Sequence, residues 1–126
     1  MIAFDTSFLL DYLDGVEDAG EYVATHDDEF VAPTLALFEV YRGAARSGGP
    51  EEVTRVASAL DWLDPLVLDH AAVHEAAVIE AELRDAGRPI NLADTLIAGV
   101  CRHHDARVVT RDDHFEHVSD LSVERY

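Results

Sequence analysis

The apolar residues of the chain fall into short solid runs, separated by longer stretches in which apolar positions recur every three to four residues. Solid runs of this length are typical of strands that are buried on both faces of a sheet. They predict four to five strands, at 2–4, 30–32, 66–68, 107–110 and 121–124.

The longer stretches have helical spacing and carry helix start and stop signals. They predict helices at 6–15, 17–28, 34–46, 51–63, 70–86 and 91–105, and a short helical turn around Phe115. Gly15 and Gly87 end two of these helices, and "SGGP" at 47–50 ends another. Thr34 and Asn91 are the expected N-caps of the helices that follow them.

Short buried strands that alternate with helices predict an α/β fold, with a central parallel sheet flanked by helices on both faces. The 126 residues suffice for one domain with a real core and are too few for two of ordinary size. The sequence contains no internal repeat, linker or low-complexity segment. We therefore expect a single domain over residues 1–126.

The charge of the chain is strongly unbalanced, with 26 acidic residues against nine basic ones and a net charge of −17. All nine basic residues are arginine, and lysine is absent. Self-repulsion at this charge density opposes folding, and about 1 M salt shortens the screening length to roughly 3 Å. The composition predicts a protein adapted to a salt-rich, halophilic cytoplasm, and the alternative is an ordinary acidic protein.

No apolar run approaches the roughly 20 residues that cross a bilayer, and "MIAFDTS" at the N-terminus does not resemble a secretory signal. Cys101 is the only cysteine, so an internal disulfide or a multi-cysteine zinc site is excluded. These features favour a protein of a reducing cytoplasm, without a membrane partner.

Two acids come directly after predicted strands, Asp5 after the first and Asp112 after the fourth. In open parallel sheets, ligands bind beyond the carboxyl ends of the strands. Each acid could instead cap the helical segment that follows it, and Asp113 could do so in place of Asp112.

Two further acids lie on predicted helices. Asp94 is three residues after Asn91, where it could belong to a capping box at the positive end of a mostly apolar helix. Glu39 is in the middle of a helix, where no cap explains it; Arg42 could pair with it, and Gly43 leaves space beside it. Four converging carboxylates without lysine would repel one another, and Mg²⁺ or Mn²⁺ would resolve that repulsion.

The stretches "IAFDTSFLLDYL", "FEVYRGA", "ADTLIAGV" and "VVTRDDHF" resemble, in order and spacing, the four motif regions of the PIN-domain ribonucleases. The VapC class of toxins from toxin–antitoxin pairs is the most similar. The chain departs from the family pattern where Gly99 replaces an alanine and where His114 replaces an acid before Phe115.

This resemblance implies metal-dependent cleavage of RNA, with Asp5, Asp94 and Asp112 as metal ligands and Glu39 completing the catalytic pocket. It also implies a homodimer and a small VapB-like antitoxin, for which Leu9, Leu10, Leu13, Leu37 and Tyr41 offer apolar surface. The alternatives are a housekeeping PIN nuclease of RNA processing and a catalytically silent PIN binding module.

Several other residues carry weaker expectations. Arginines close to the acid motifs are candidates for contact with RNA phosphates: Arg42, Arg46, Arg102 and Arg111. Trp62 is expected in the core, and Cys101 is expected to be a small buried residue. Six of the seven histidines are expected on solvated faces. The alternatives are zinc binding by His70 and His74, and contact with RNA phosphates by His103, His104, His114 and His117.

Overall fold

A computed structural model describes all 126 residues. The strands are β1 (Ile2–Phe4), β2 (Phe30–Pro33), β3 (Asp64–Leu66), β4 (Arg107–Thr110) and β5 (Val123–Arg125). The helices are α1 (Thr6–Leu13), α2 (Glu17–Thr25), α3 (Thr34–Ala59), α4 (His70–Asp85) and α5 (Leu92–His103), with a 3₁₀ helix, η1, at Asp113–His117.

The five strands form one sheet in the order β3-β2-β1-β4-β5, and every pair is parallel. The predicted α/β class with a parallel central sheet is therefore confirmed. β1 lies between β2 and β4, with Phe4 opposite Val109. The residues that follow β1 and β4 consequently emerge side by side at the same edge of the sheet.

Two local predictions differ from the structure, and a third agrees with it. The third strand is Asp64–Leu66 rather than 66–68, and Val67 is exposed. Thr34 is the first residue of α3 rather than its side-chain cap, and its Oγ1 accepts a hydrogen bond from the Leu68 backbone N–H. The break expected at "SGGP" is confirmed, because α3 consists of two helical segments that meet at a kink at Gly49, where φ is +70° and the backbone is not helical.

The core is one cluster of 28 buried residues that covers both faces of the sheet. Phe4 of β1 stacks on Phe8 of α1 with ring centroids 3.9 Å apart. Trp62 lies at the rim of this cluster and is 38% exposed, so the expectation of a core tryptophan is wrong. Cys101 is fully buried, as expected.

Helices α4 and α5 pack at unusually close range where Gly99 faces Ala76. A Cβ at position 99 would lie 2.6 Å from the Ala76 Cβ and 2.7 Å from its Cα. Gly99 therefore allows α5 to approach α4 closely, and this packing determines the position of Asp94 in the first turn of α5. None of the helices is both long and apolar enough to cross a membrane.

Candidate functional site

Asp5 ends β1 and caps α1, so its side chain is fixed from several directions. Its Oδ1 accepts hydrogen bonds from the Phe8 backbone N–H at 2.9 Å and from Ser7 Oγ at 2.8 Å. Its Oδ2 accepts one from Thr110 Oγ1 at 2.5 Å. Burial raises the pKa of Asp5, and the nearby negative charge of Asp94 adds to the rise, while these hydrogen bonds oppose it. The hydrogen bonds thus fix the position of the Asp5 carboxylate, but its burial makes the ionised form unfavourable.

Thr110, the last residue of β4, joins Asp5 to Asp112. While its hydroxyl donates to Asp5, it accepts the Asp112 backbone N–H at 2.9 Å. Asp112 caps η1, because its Oδ1 accepts the His114 backbone N–H at 2.9 Å. Asp5 and Asp112 therefore each cap a helical segment, which was the structural alternative to a functional role for both residues. Both also lie at the same edge of the sheet.

Asp94 lies in the first turn of α5, in a reciprocal contact with the N-cap Asn91. The Asp94 backbone N–H donates to Asn91 Oδ1, and Asn91 Nδ2 donates to Asp94 Oδ2, both at 2.8 Å. The expected capping arrangement is therefore present. It leaves Asp94 without an arginine partner and close enough to influence Asp5.

His114 completes a cluster with two of these acids. Its Nδ1 lies 3.3 Å from Asp94 Oδ2 and 3.3 Å from Asp112 Oδ1. One ligand atom from each of the three residues falls within 4.8 Å of the others. Sequence reasoning missed this role and assigned His114 to a solvated face. The available signal was its position, since His114 stands where the family pattern has an acid.

Glu39 of α3 lies outside the three-residue cluster but is linked to the start of α1. Thr6 Oγ1 donates to Glu39 Oε1 at 2.6 Å. Arg42 forms no ion pair with Glu39, so the alternative of a structural salt bridge is wrong. Gly43 has open space where a Cβ would stand.

Two of the arginines that were predicted to contact phosphates instead form ion pairs with acidic residues. Arg102 is largely buried and bonds to Glu75 at 2.6 Å and Glu82 at 3.0 Å, which makes it a structural tie between α4 and α5. Arg111 bonds to Asp11 at 2.8 Å. The expectation of phosphate contact is therefore wrong for Arg102.

Asp113 also has a structural partner, because it pairs with Arg125 of β5. Its side chain is 74% exposed, and it is not part of the acid cluster beside Asp112. His70 and His74 are exposed on α4 and belong to no group of metal-ligating side chains.

The edge of the sheet therefore carries a cluster of acids in an α/β fold, and comparison with known proteins agrees with this architecture. The PIN domain family matches residues 2–121, and the chain belongs to this family. The tRNA(fMet)-specific endonuclease VapC of Shigella flexneri is 34% identical over 93 residues, which are 72% of this chain and 70% of that protein.

Solved structures agree over the whole chain. DNA-bound VapBC from Salmonella typhimurium has a TM-score of 0.88 and 25% identity, covering 99% of this chain and 98% of that one. VapBC2 from Rickettsia felis, bound to a promoter DNA fragment, has a TM-score of 0.90 and 18% identity, covering 100% and 99%. PIN nucleases use divalent metals, and the donor set of Asp94, Asp112 and His114 fits such an ion.

Proposed function

We propose that this chain is a divalent-metal-dependent endoribonuclease and acts as the toxin of a toxin–antitoxin pair. The observation that carries the proposal is the cluster of Asp94, Asp112 and His114 at the sheet edge, to which Thr110 links Asp5, with no arginine among them. Its relatives include an endonuclease and several toxin–antitoxin complexes. RNA is the substrate, and a cytoplasmic location fits both that substrate and the single free thiol.

Asp5, Asp94 and Asp112 would hold Mg²⁺ or Mn²⁺. When bound, such an ion neutralises phosphodiester charge and favours ionisation of water. The chain supplies the positioning: Thr110 holds Asp5 and the Asp112 backbone in one network, and the Asn91 side chain orients Asp94. Glu39 accepts a hydrogen bond from Thr6, the residue after Asp5, and in this proposal it would orient a water or accept its proton.

The path of the RNA is suggested by arginines that have no acid partner. Six of the nine arginines form ion pairs; Arg88, before α5, forms none, and neither do Arg42 and Arg46 on α3. Both are exposed and follow Glu39 at three and seven residues, so they share its face of the helix. In a chain with a net charge of −17, unpaired arginines beside an acid pocket favour contact with phosphates.

The antitoxin site is proposed in the groove between α1 and α3. This groove encloses about 340 Å³, and apolar side chains such as Leu10, Leu13 and Val40 line it together with polar and charged ones, among them Asp14, Ser47, Glu52 and Arg55. Phe38 nearby is 58% exposed. An amphipathic helix of a VapB-like partner fits such a groove. Leu9 is not available, because it is buried in the core.

The enzymatic proposal is tested by incubating the pure protein with RNA at about 2 M KCl. Cleavage is expected with Mn²⁺ or Mg²⁺, none is expected in EDTA, and restored metal should restore activity. Cleavage that persists in EDTA would contradict metal dependence. A folded, metal-bound protein that leaves all RNA intact would favour the silent binding module.

The toxin role is tested by expression in cells with and without the adjacent small reading frame. Growth arrest by the chain alone, relieved by its neighbour in a stable complex, is the expected result. Light scattering of the purified chain would also test the homodimer, which remains a prediction. A chain that cleaves RNA but is harmless on expression would instead favour the housekeeping nuclease.

A further inference from the structure

His114 is the one nitrogen donor among the clustered groups of the acid pocket. It lies on η1, two residues after Asp112, and its side chain is 49% exposed. Its Nδ1 lies 3.3 Å from Oδ2 of Asp94 and 3.3 Å from Oδ1 of Asp112. Either the imidazole completes a metal site, or it only forms ion pairs with these two carboxylates.

We propose that His114 is a metal ligand, and that its imidazole makes the site prefer first-row transition ions such as Mn²⁺ and Co²⁺ over Mg²⁺. This inference rests on the proposed function and defines its cofactor more closely. The ligand set is then two carboxylates and one imidazole, and Asp5, which Thr110 links to Asp112, lies outside this cluster.

The distances support a shared ion. Two donors that each lie about 2.1 Å from one ion are about 3.0 Å apart at a right angle and about 3.4 Å apart at a tetrahedral angle. The observed 3.3 Å separations fall within this interval. The backbone of His114 is also fixed, because its N–H donates to Asp112 at 2.9 Å.

The donor chemistry sets the preference. Mg²⁺ takes oxygen ligands and gives up its waters reluctantly, whereas an imidazole nitrogen binds transition ions well. Affinity for a given nitrogen and oxygen site rises from Mn²⁺ to Co²⁺. Replacing a family acid by His114 should therefore shift selectivity toward transition ions without removing the site.

The first test measures binding of Co²⁺, Mn²⁺ and Mg²⁺ separately by titration calorimetry at high salt. His114→Ala should lower Co²⁺ affinity about 10-fold or more and change Mg²⁺ affinity much less. His114→Asp should lower the ratio of Co²⁺ to Mg²⁺ affinity. His117→Ala, on the same exposed η1, is the matched control and should change neither affinity.

A second measurement detects the ligand atom directly. Pulsed electron paramagnetic resonance of the Mn²⁺-loaded wild type should detect coupling to an imidazole nitrogen, which His114→Ala should abolish and His117→Ala should retain. Circular dichroism checks that both variants are folded.

The outcomes separate this inference from the proposed function. Absence of nitrogen coupling in a wild type that binds metal and cleaves RNA would overturn only the assignment of His114. Tighter binding of every ion by His114→Ala would also overturn it, since the imidazole would then be occupying the place of the ion. Failure of the wild type to bind any of the three ions would overturn both.

Discussion

Asp5 and Asp69 have the same local role at two places in the fold, since each lies between a strand and a helix and caps that helix. Asp5 accepts the Phe8 backbone N–H at 2.9 Å, and Asp69 accepts the Ala72 N–H at 3.0 Å. By the geometry of the cap alone the two aspartates are equivalent.

Their electrostatics are opposite. Asp69 is exposed, and its cap hydrogen bond lowers its pKa, with His103 and His104 nearby helping. Asp5 is 3% exposed, and burial raises its pKa despite three hydrogen-bond partners, with Asp94 adding to the rise. A cap therefore explains Asp69 completely. Asp5 carries an electrostatic cost that capping does not require, and a cation in the pocket would offset it.

The largest expected difference between the two aspartates is in catalysis. Asp5→Asn should lower RNA cleavage by about 10²- to 10³-fold, the scale for losing one preorganised charge-stabilising group. Asparagine keeps the cap, so circular dichroism should remain that of the wild type. Asp69→Asn is the matched control and should keep full activity. Equal activities of the two variants in an RNA cleavage assay would remove Asp5 from the site.

Salt should change the contribution of exposed acids to thermal stability much more than that of buried acids. Raising KCl from about 0.1 M to 3 M should increase the thermal midpoint of the wild type by about 10 °C or more, as surface repulsion is screened. Asp5→Asn should follow the same salt curve, because a buried charge is screened little. A midpoint that does not move with salt would count against the predicted halophilic adaptation.

The nearness of Asp94 to Asp5 depends on how α5 packs on α4. Gly99→Ala places a Cβ against Ala76 and should destabilise the fold by about 1–3 kcal/mol, the usual cost of overpacking. The displaced helix should also weaken metal binding. Urea unfolding together with titration calorimetry measures both effects, and Ala98→Gly serves as a control at the adjacent position.

The smallest expected effect is in the pH dependence of the metal-free protein. The folded-state pKa of Asp5 lies above its ordinary value of 3.8, so its ionisation costs stability as pH rises through that folded pKa. Asp5→Asn should therefore gain stability relative to the wild type as pH rises from about 3 to 7.

Asp69 should behave in the opposite way, because its folded pKa is lowered. Its stabilising contribution is present above 3.8 and is lost as pH falls through the folded value. Urea midpoints in EDTA, at constant ionic strength, test the two signs. Parallel curves for both variants would show that burial does not distinguish the two caps.

The sequence was sufficient to predict the sheet and the placement of Asp5 and Asp112 at one edge of it. Runs of buried strand residues that end in an acid define a sheet edge, and parallel pairing brings adjacent ends together. The third strand was misplaced because Pro65 argues against a strand. β3 tolerates it as an edge strand, since it pairs only with β2.

The directions of individual side chains were harder to predict from the sequence than the sheet. His114 turns toward two acids because η1 is a short irregular helix, which no periodicity anticipates. The partners of Arg102 could have been found, since Glu75 and Glu82 are two turns apart on one face of α4. Proximity in sequence to the acid motifs was the wrong criterion for that arginine.

The burial of Cys101 has a consequence for kinetics. The thiol is fully buried in α5, and burial raises its pKa, so it is both inaccessible and rarely ionised in the native state. A thiol reagent can react only when the core opens around α5. When reclosing is fast, the labelling rate equals the intrinsic rate multiplied by the open fraction. The labelling rate of Cys101 in the wild-type chain therefore measures the free energy of opening around α5 at any salt concentration, without an engineered cysteine.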